Sequence, residues 1–271
     1  MRIPSGVAAV ALLTLACVAR AAPLTPSPTL AQVIAGPQRT PAFAARDRYR
    51  HPLQVLKFVG LKPDMSVVEI WPSGGWWTEI LAPYLHAHGT YYAALQKSSE
   101  DAGFRNKLAA APRYYDGVIV TRAGPPDHWQ IAPPGSADLV LTFRNVHNWL
   151  AGGYEKQMFA AMYRALKPGG VLGLVEHRAA PGTTRADWVK SGYVSQDYVI
   201  DLARQAGFRL VAKSEIGANP KDTKNYPQGV WTLPPTLTLG QKDRAKYLAI
   251  GESDRMTLKF VKPRRLALRS Q

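Results

Sequence analysis

SADLVLTFRNVHNWLAGGYEKQMFAAMYRALKPGGVLGLVEHR, residues 136–178, decides the architecture of this 271-residue chain. Residues 138–143 are apolar almost throughout, as strands buried on both faces of a parallel sheet are. Tyr154, Met158, Phe159, Met162, Tyr163 and Leu166 then recur at helical spacing and give one apolar stripe. Lys167-Pro168-Gly169-Gly170 ends that helix, because proline lacks the amide a helix needs and glycine accepts the turn past its end. Residues 171–175 are a second apolar run. Strand, helix and strand in so short a stretch form a crossover unit whose two strands lie parallel.

Outward from this unit the alternation repeats. Residues 66–70 predict a strand, 74–85 a helix with Trp76, Trp77, Ile80, Leu81, Tyr84 and Leu85 on one stripe, and 90–95 a strand. A helix over 100–110 and a strand over 118–121 follow. After the central unit, Ser195 suits the cap of a helix that Gly207 ends, and 208–214 predict a sixth strand. A helix over 43–58 precedes them all, interrupted at His51-Pro52 because proline disfavours helix in the residue before it. Residues 219–253 form a proline-rich excursion with a short helix at 242–250, readable as a lid or as a rigid surface loop. Met256, Leu258 and Phe260 then alternate along a last strand, 255–261. The expectation is an α/β fold: a Rossmann-like, doubly wound sheet of seven strands, mostly parallel with an antiparallel last strand, and helices on both faces.

Met1-Arg2, the apolar run 7–18 and Ala19-Arg20-Ala21 have the layout of a signal peptide cut after Ala21. A lipoprotein box at Leu15-Ala16-Cys17, anchoring the chain by a lipid on Cys17, is the alternative. Both readings export the protein, to the periplasm. The predicted domains are then a signal peptide over 1–21, a linker over 22–42 carrying Pro23, Pro26, Pro28, Pro37 and Pro41, and one globular domain over 43–271. No segment after the signal is long and apolar enough to span a bilayer. Cys17 is the only cysteine, which leaves no disulfide to staple the fold. Losing Arg2 and Arg20 lowers the formal charge from +15 to +13, a surplus that attracts anions. The basic residues are dispersed apart from Lys262-Pro263-Arg264-Arg265, and no basic helix is interleaved with stacking aromatics. A small molecule or an envelope component is therefore the expected partner, and no specific nucleic acid is.

Ligands of an open parallel sheet bind beyond the carboxyl ends of its strands. There the sequence sets Glu69 and Trp71-Pro72-Ser73-Gly74-Gly75 after the first strand, Gln96 after the second and Arg122 after the third. Arg144, Asn145, His147 and Asn148 follow the fourth; Glu176, His177 and Arg178 follow the fifth. Polar groups converging on one rim mark a binding crevice. Two histidines and a carboxylate suffice for zinc, but no HxH or HExxH spacing fixes His147, Glu176 and His177 on one face, and no metal is predicted. Ser73 sits on a strand-to-helix turn, yet Trp71 replaces the first glycine of a hydrolase elbow.

VVEIWPSGGWWTEIL (67–81), SADLVLTFRNVHNWL (136–150) and LKPGGVLGLVEHR (166–178) resemble, in order and spacing, the first, fourth and fifth strand motifs of class I S-adenosylmethionine-dependent methyltransferases. RDRYRHP (46–52), EIWPSGGWWTEILAPYL (69–85), NPKDT (219–223) and AIGESDRMTLKFVKP (249–263) are similar to a bacterial, exported methyltransferase-like group. The resemblance implies S-adenosylmethionine in a crevice of Glu69, Trp71, Pro72, Ser73, Gly74, Gly75, Gln96, Arg122 and Asn145. It also implies an acceptor near Trp149, with proton removal by His147 or Glu176. Three departures stand out. The family's three spaced glycines fall on Trp71, Ser73 and Gly75, and only the last is kept. Gln96 stands where an acid usually holds the ribose hydroxyls, and Arg122 where an acid reads adenine. Trp71 either walls off the pocket or swings away and stacks on adenine. The implied function is methyl transfer to an unidentified acceptor; the alternative is a methyltransferase fold that binds an anionic envelope ligand through Arg122, Arg144 and Arg178 without catalysis.

Overall fold

The computed structural model describes residues 28–96 and 98–264. The predicted signal peptide, Cys17 and the first part of the predicted linker lie outside the described residues.

Seven strands make one sheet: β1 (Ser66–Ile70), β2 (Thr90–Leu95), β3 (Val118–Arg122), β4 (Ala137–Phe143), β5 (Leu166–His177), β6 (Arg209–Ser214) and β7 (Arg255–Val261). Their order is β3-β2-β1-β4-β5-β7-β6. Six strands run one way, and β7, antiparallel to both β5 and β6, runs the other. The chain winds outward from β1 to β3, then crosses back to place β4 on the other side of β1. That reversal opens a crevice at the carboxyl ends of β1 and β4.

Among the described residues, twelve α-helices accompany the sheet. Before β4 come α1 (Leu30–Ile34), α2 (Pro41–Ala44), α3 (Asp47–Arg50), α4 (Pro52–Val59), α5 (Thr78–Leu85), α6 (Ser98–Ala110) and α7 (Pro112–Tyr115). After it come α8 (Val146–Gly152), α9 (Glu155–Ala165), α10 (Arg185–Ser191), α11 (Gln196–Gln205) and α12 (Arg244–Ile250). Successive strand residues point to opposite faces, so each strand feeds two cores. Val68, Val140 and Leu172 pack with Met158 and Phe159 of α9 and Val199 of α11. Val67, Leu139 and Leu141 pack with Leu56 of α4 and Ile80 and Leu81 of α5. Gly173 lets α4 approach β5 closely: a Cβ there would stand 2.6 Å from Val59 Cγ1 and 2.8 Å from Leu141 Cδ2.

Several expectations need correction. The helix expected over 43–58 breaks at His51-Pro52 as expected, where His51 takes a left-handed φ of 46° and Pro52 opens α4, but it also divides at Ala45-Arg46 and so makes three short pieces. The helix expected from 74 begins at Thr78, since Gly75 N–H closes a turn on the Pro72 carbonyl at 2.9 Å. Residues 28–42, expected to continue the linker, are docked. Thr29 and Gln32 cap α1 reciprocally, and Leu30 and Val33 are buried. The anchor is Glu79 on α5. It accepts from Thr40 N at 2.8 Å, Thr40 Oγ1 at 2.5 Å and Lys107 Nζ at 2.5 Å. A buried carboxylate needs such donors, and the N-terminal segment supplies two of them through Thr40.

Candidate functional site

The loop after β1 carries positive φ at every second residue: 52° at Trp71, 51° at Ser73 and 81° at Gly75. These are the three positions at which the sequence comparison places glycines. A left-handed conformation costs a residue with a side chain about 1–2 kcal/mol. Trp71 takes the first of its two options and turns inward. Its indole is 6% exposed, donates through Nε1 to the Ala123 carbonyl at 2.8 Å, and meets Trp149 edge-on with ring centres 5.8 Å apart. Ser73 and Gly74 remain exposed on the rim.

The other predicted cofactor residues are placed unevenly. Gln96 and Arg122 are partly exposed at the ends of β2 and β3. Glu69 is buried: its carboxylate accepts from the Tyr91 hydroxyl and, at 3.2 Å, from Thr78 Oγ1. Burial, opposed by those two hydrogen bonds, pushes its pKa up to about 7. Asn145 is spent on the fold. Its Nδ2 donates to the Ile70 carbonyl at 2.9 Å and to Thr142 Oγ1 at 3.2 Å, tying the end of β4 to the end of β1.

His147 and Glu176 do meet. The β4–β5 register pairs Phe143 with Val175, which sets the start of α8 beside the end of β5. His147 Nδ1 lies 3.0 Å from Glu176 Oε1, and Glu176 also accepts from the backbone N–H groups of His147 at 3.3 Å and His177 at 2.8 Å. An ionised carboxylate only accepts, so His147 carries its proton on Nδ1 and leaves Nε2 as the free acceptor. His147 lines a cavity of about 150 Å³ together with Ser73, Arg144 and His177. Val230, Trp231, Pro234 and Pro235 of the excursion wall its outer side. Glu176 is fully buried and does not line the cavity; its contact with the cavity runs through His147. His177 Nδ1 pairs with Ser253 Oγ at 2.5 Å, and burial, helped by His147, Arg144 and Arg255, holds its pKa well below the usual imidazole value.

No protein-family model and no curated protein matches the chain. Solved structures do. A SAM-dependent methyltransferase from Aquifex aeolicus shares 15% identity over 86% of this chain and 98% of its own, with a TM-score of 0.55. Haemonchus contortus phosphoethanolamine N-methyltransferase 2, solved with S-adenosyl-L-methionine, shares 16% over 87% of this chain and 60% of its own, with a TM-score of 0.55. The [4+2]-cyclase SpnF shares 14% over 79% and 80%, with a TM-score of 0.53. The fold is that of the Rossmann-like methyltransferases. Because a cyclase shares it, the chemistry is argued from the site.

The loop after β1 keeps at 71, 73 and 75 the backbone conformation that glycine adopts without strain, the one feature here that suits S-adenosylmethionine. The Trp71 indole stands against the end of β3 and is the one group that has to turn. A metal fits less well. The candidate donor atoms of His147, Glu176 and His177 lie within 4.8 Å of one another, closer than sequence spacing implied. But Glu176 already takes three N–H groups, and Arg144, Arg255 and Arg50 all act on the adjoining His177. That field opposes a cation.

Of the arginines expected to anchor an anion, Arg178 is neutralised by Glu215 at 2.5 Å and Asp254 at 2.9 Å. Asp254 and Arg255 do not pair with each other: Asp254 holds Arg178 and Lys224, and Arg255 holds Glu252. Sequence reasoning missed Arg46, Arg50, Glu252 and Thr257 as neighbours of this rim. Their signal was present in RDRYRHP and GESDRMT, two charged segments about 200 residues apart.

Proposed function

We propose that this chain is an S-adenosylmethionine-dependent methyltransferase whose acceptor lies in the cavity against His147. The observation that carries the reading is the loop at Trp71, Ser73 and Gly75. Two residues with side chains hold a conformation suited to glycine, at the switch point where open sheets bind ligands. Strain kept at such a place points to the demand of a ligand.

S-adenosylmethionine supplies an activated methyl group on a sulfonium. The chain supplies position and proton handling. The backbone of 72–75 and Gln96, which stands in place of the usual acid, would hold the cofactor. Trp71 would turn from Ala123 to clear the crevice. His147 Nε2 receives the acceptor's proton while Glu176 holds Nδ1–H and stabilises the imidazolium that results. Fixing donor and acceptor in line lowers the barrier further.

Location belongs to the same proposal. A signal peptide cut after Ala21, or a lipid on Cys17, puts the protein in the periplasm and makes the acceptor a small molecule or an envelope component. The similarity of RDRYRHP and NPKDT to an exported group supports this.

Calorimetric titration of S-adenosylhomocysteine into the purified protein tests the reading. Saturable binding with a change in indole fluorescence that Trp71→Phe diminishes is the expected result. No binding to folded protein would remove the transferase reading.

A further inference from the structure

Four arginines gather around a single acid at the carboxyl ends of β4 and β5. Arg46 Nε donates to Glu252 Oε1 at 2.5 Å, Arg255 donates to Glu252 Oε2, and Arg50 Nε stands 3.9 Å from that second oxygen. The Arg144 side chain makes no hydrogen bond or ion pair among the described residues, while its backbone is held at a left-handed φ of 61° with its N–H donating to the Val175 carbonyl at 2.7 Å. Burial and the neighbouring Arg255 lower its pKa to about 9. Arg50, Arg144, Arg255 and Thr257 line one small cavity of about 10 Å³, walled by Trp77 and Phe143. Arg50 Nε, Arg255 Nε and Thr257 Oγ1 are buried there without partners.

Guanidinium N–H donors and a hydroxyl buried together without acceptors are costly unless something accepts from them. Arginine's fork of donors matches an oxyanion. The cavity admits about one water-sized group, so it takes the end of a ligand rather than a whole one. Phe143 and Arg144 also wall the cavity that holds His147, which leaves room beside it for the remainder.

We propose that Arg144, backed by Arg50, Arg255 and Thr257, is an oxyanion subsite that holds a carboxylate or phosphate of the methyl acceptor. Only the assignment to the acceptor rests on the methyltransferase reading; the anion site stands without it.

The test is thermal melting of the full chain in sodium phosphate or sodium succinate, against sodium chloride at equal ionic strength. At ten times Kd an oxyanion raises Tm by about 3–6 °C over chloride. Arg144→Met removes the rise, Arg144→Lys keeps part of it, and Arg178→Met, whose guanidinium is already paired, keeps all of it. No oxyanion-specific rise, or an equal rise in a folded Arg144→Met, overturns the subsite. Repeating the melts with saturating S-adenosylhomocysteine separates the sources. If that ligand abolishes the phosphate effect and itself needs Arg144, the site serves the cofactor's own carboxylate and the acceptor assignment falls. If it does not bind while the anion effect persists, the transferase reading falls and the subsite remains.

Discussion

Trp71 concentrates two opposing costs in one residue. Its left-handed backbone is strained, and its indole is buried with a satisfied N–H. Trp71→Gly relieves about 1–2 kcal/mol of strain but forfeits the packing of a large aromatic, about 3–5 kcal/mol. A net loss of about 2–3 kcal/mol in urea unfolding is expected, together with S-adenosylhomocysteine binding at least about tenfold tighter because the crevice is cleared. Looser binding would show that the indole holds the ligand rather than blocks it. Glu69 gives a prediction in pH. Its folded pKa of about 7 is raised from 4.5, so the folded state keeps its proton longer than the unfolded state does. Stability from this group is full below 4.5, falls as pH rises toward 7, and is lost above it, a change of about 3 kcal/mol. Glu69→Gln stays neutral at every pH and flattens that slope. Unfolding curves at pH 5 and pH 8 check it: parent and variant should converge at the lower pH and separate at the higher, with the variant the more stable.

At the scale of elements, what was legible was what hydrophobic periodicity marks. Five of the six parallel strands and α9 and α11 stand close to their predicted limits because buried runs and apolar stripes define them, while β5, expected over 171–175, runs Leu166–His177 through the expected turn at Lys167-Pro168-Gly169-Gly170. α1, α8 and α10 were not read, being five to seven residues long, too short for a stripe. Two of them announced themselves by caps: Thr29 with Gln32, and Thr184 with Asp187, each satisfying the other's backbone donors. The proline content of 22–42 obscured the first. Packing between elements was hidden for another reason. Gly173 in β5 reads as an ordinary apolar-strand glycine, and only the approach of Val59 from α4 explains it. Gly173→Ala forces α4 and β5 apart and should cost about 1–3 kcal/mol, read by chemical denaturation. An unchanged midpoint would mean that α4 shifts freely and does not brace the rim.

At the scale of the molecule, charge that is scattered along the sequence is gathered by the fold. The rim residues were predictable from strand ends, which is why His147 and Glu176 could be named together before their 3.0 Å contact was seen. The arginine cluster was not, since Arg46 and Arg50 reach Glu252 across about 200 residues and no local pattern predicts such pairing. Glu252 is the keystone of that cluster. Burial would raise its pKa, but Arg255, Arg46 and Arg50 together hold it down at about 2. Removing one partner of a buried ionic group leaves the others uncompensated and typically costs about 3–5 kcal/mol. Glu252→Gln should therefore melt well below the parent in chloride. If the cluster accepts an external oxyanion, phosphate replaces part of the lost negative charge, and the gap between variant and parent narrows in phosphate at equal ionic strength. An equal gap in both salts would mean that the arginines are held for Glu252 alone, and that the unpaired donors around Arg144 have no anion to receive.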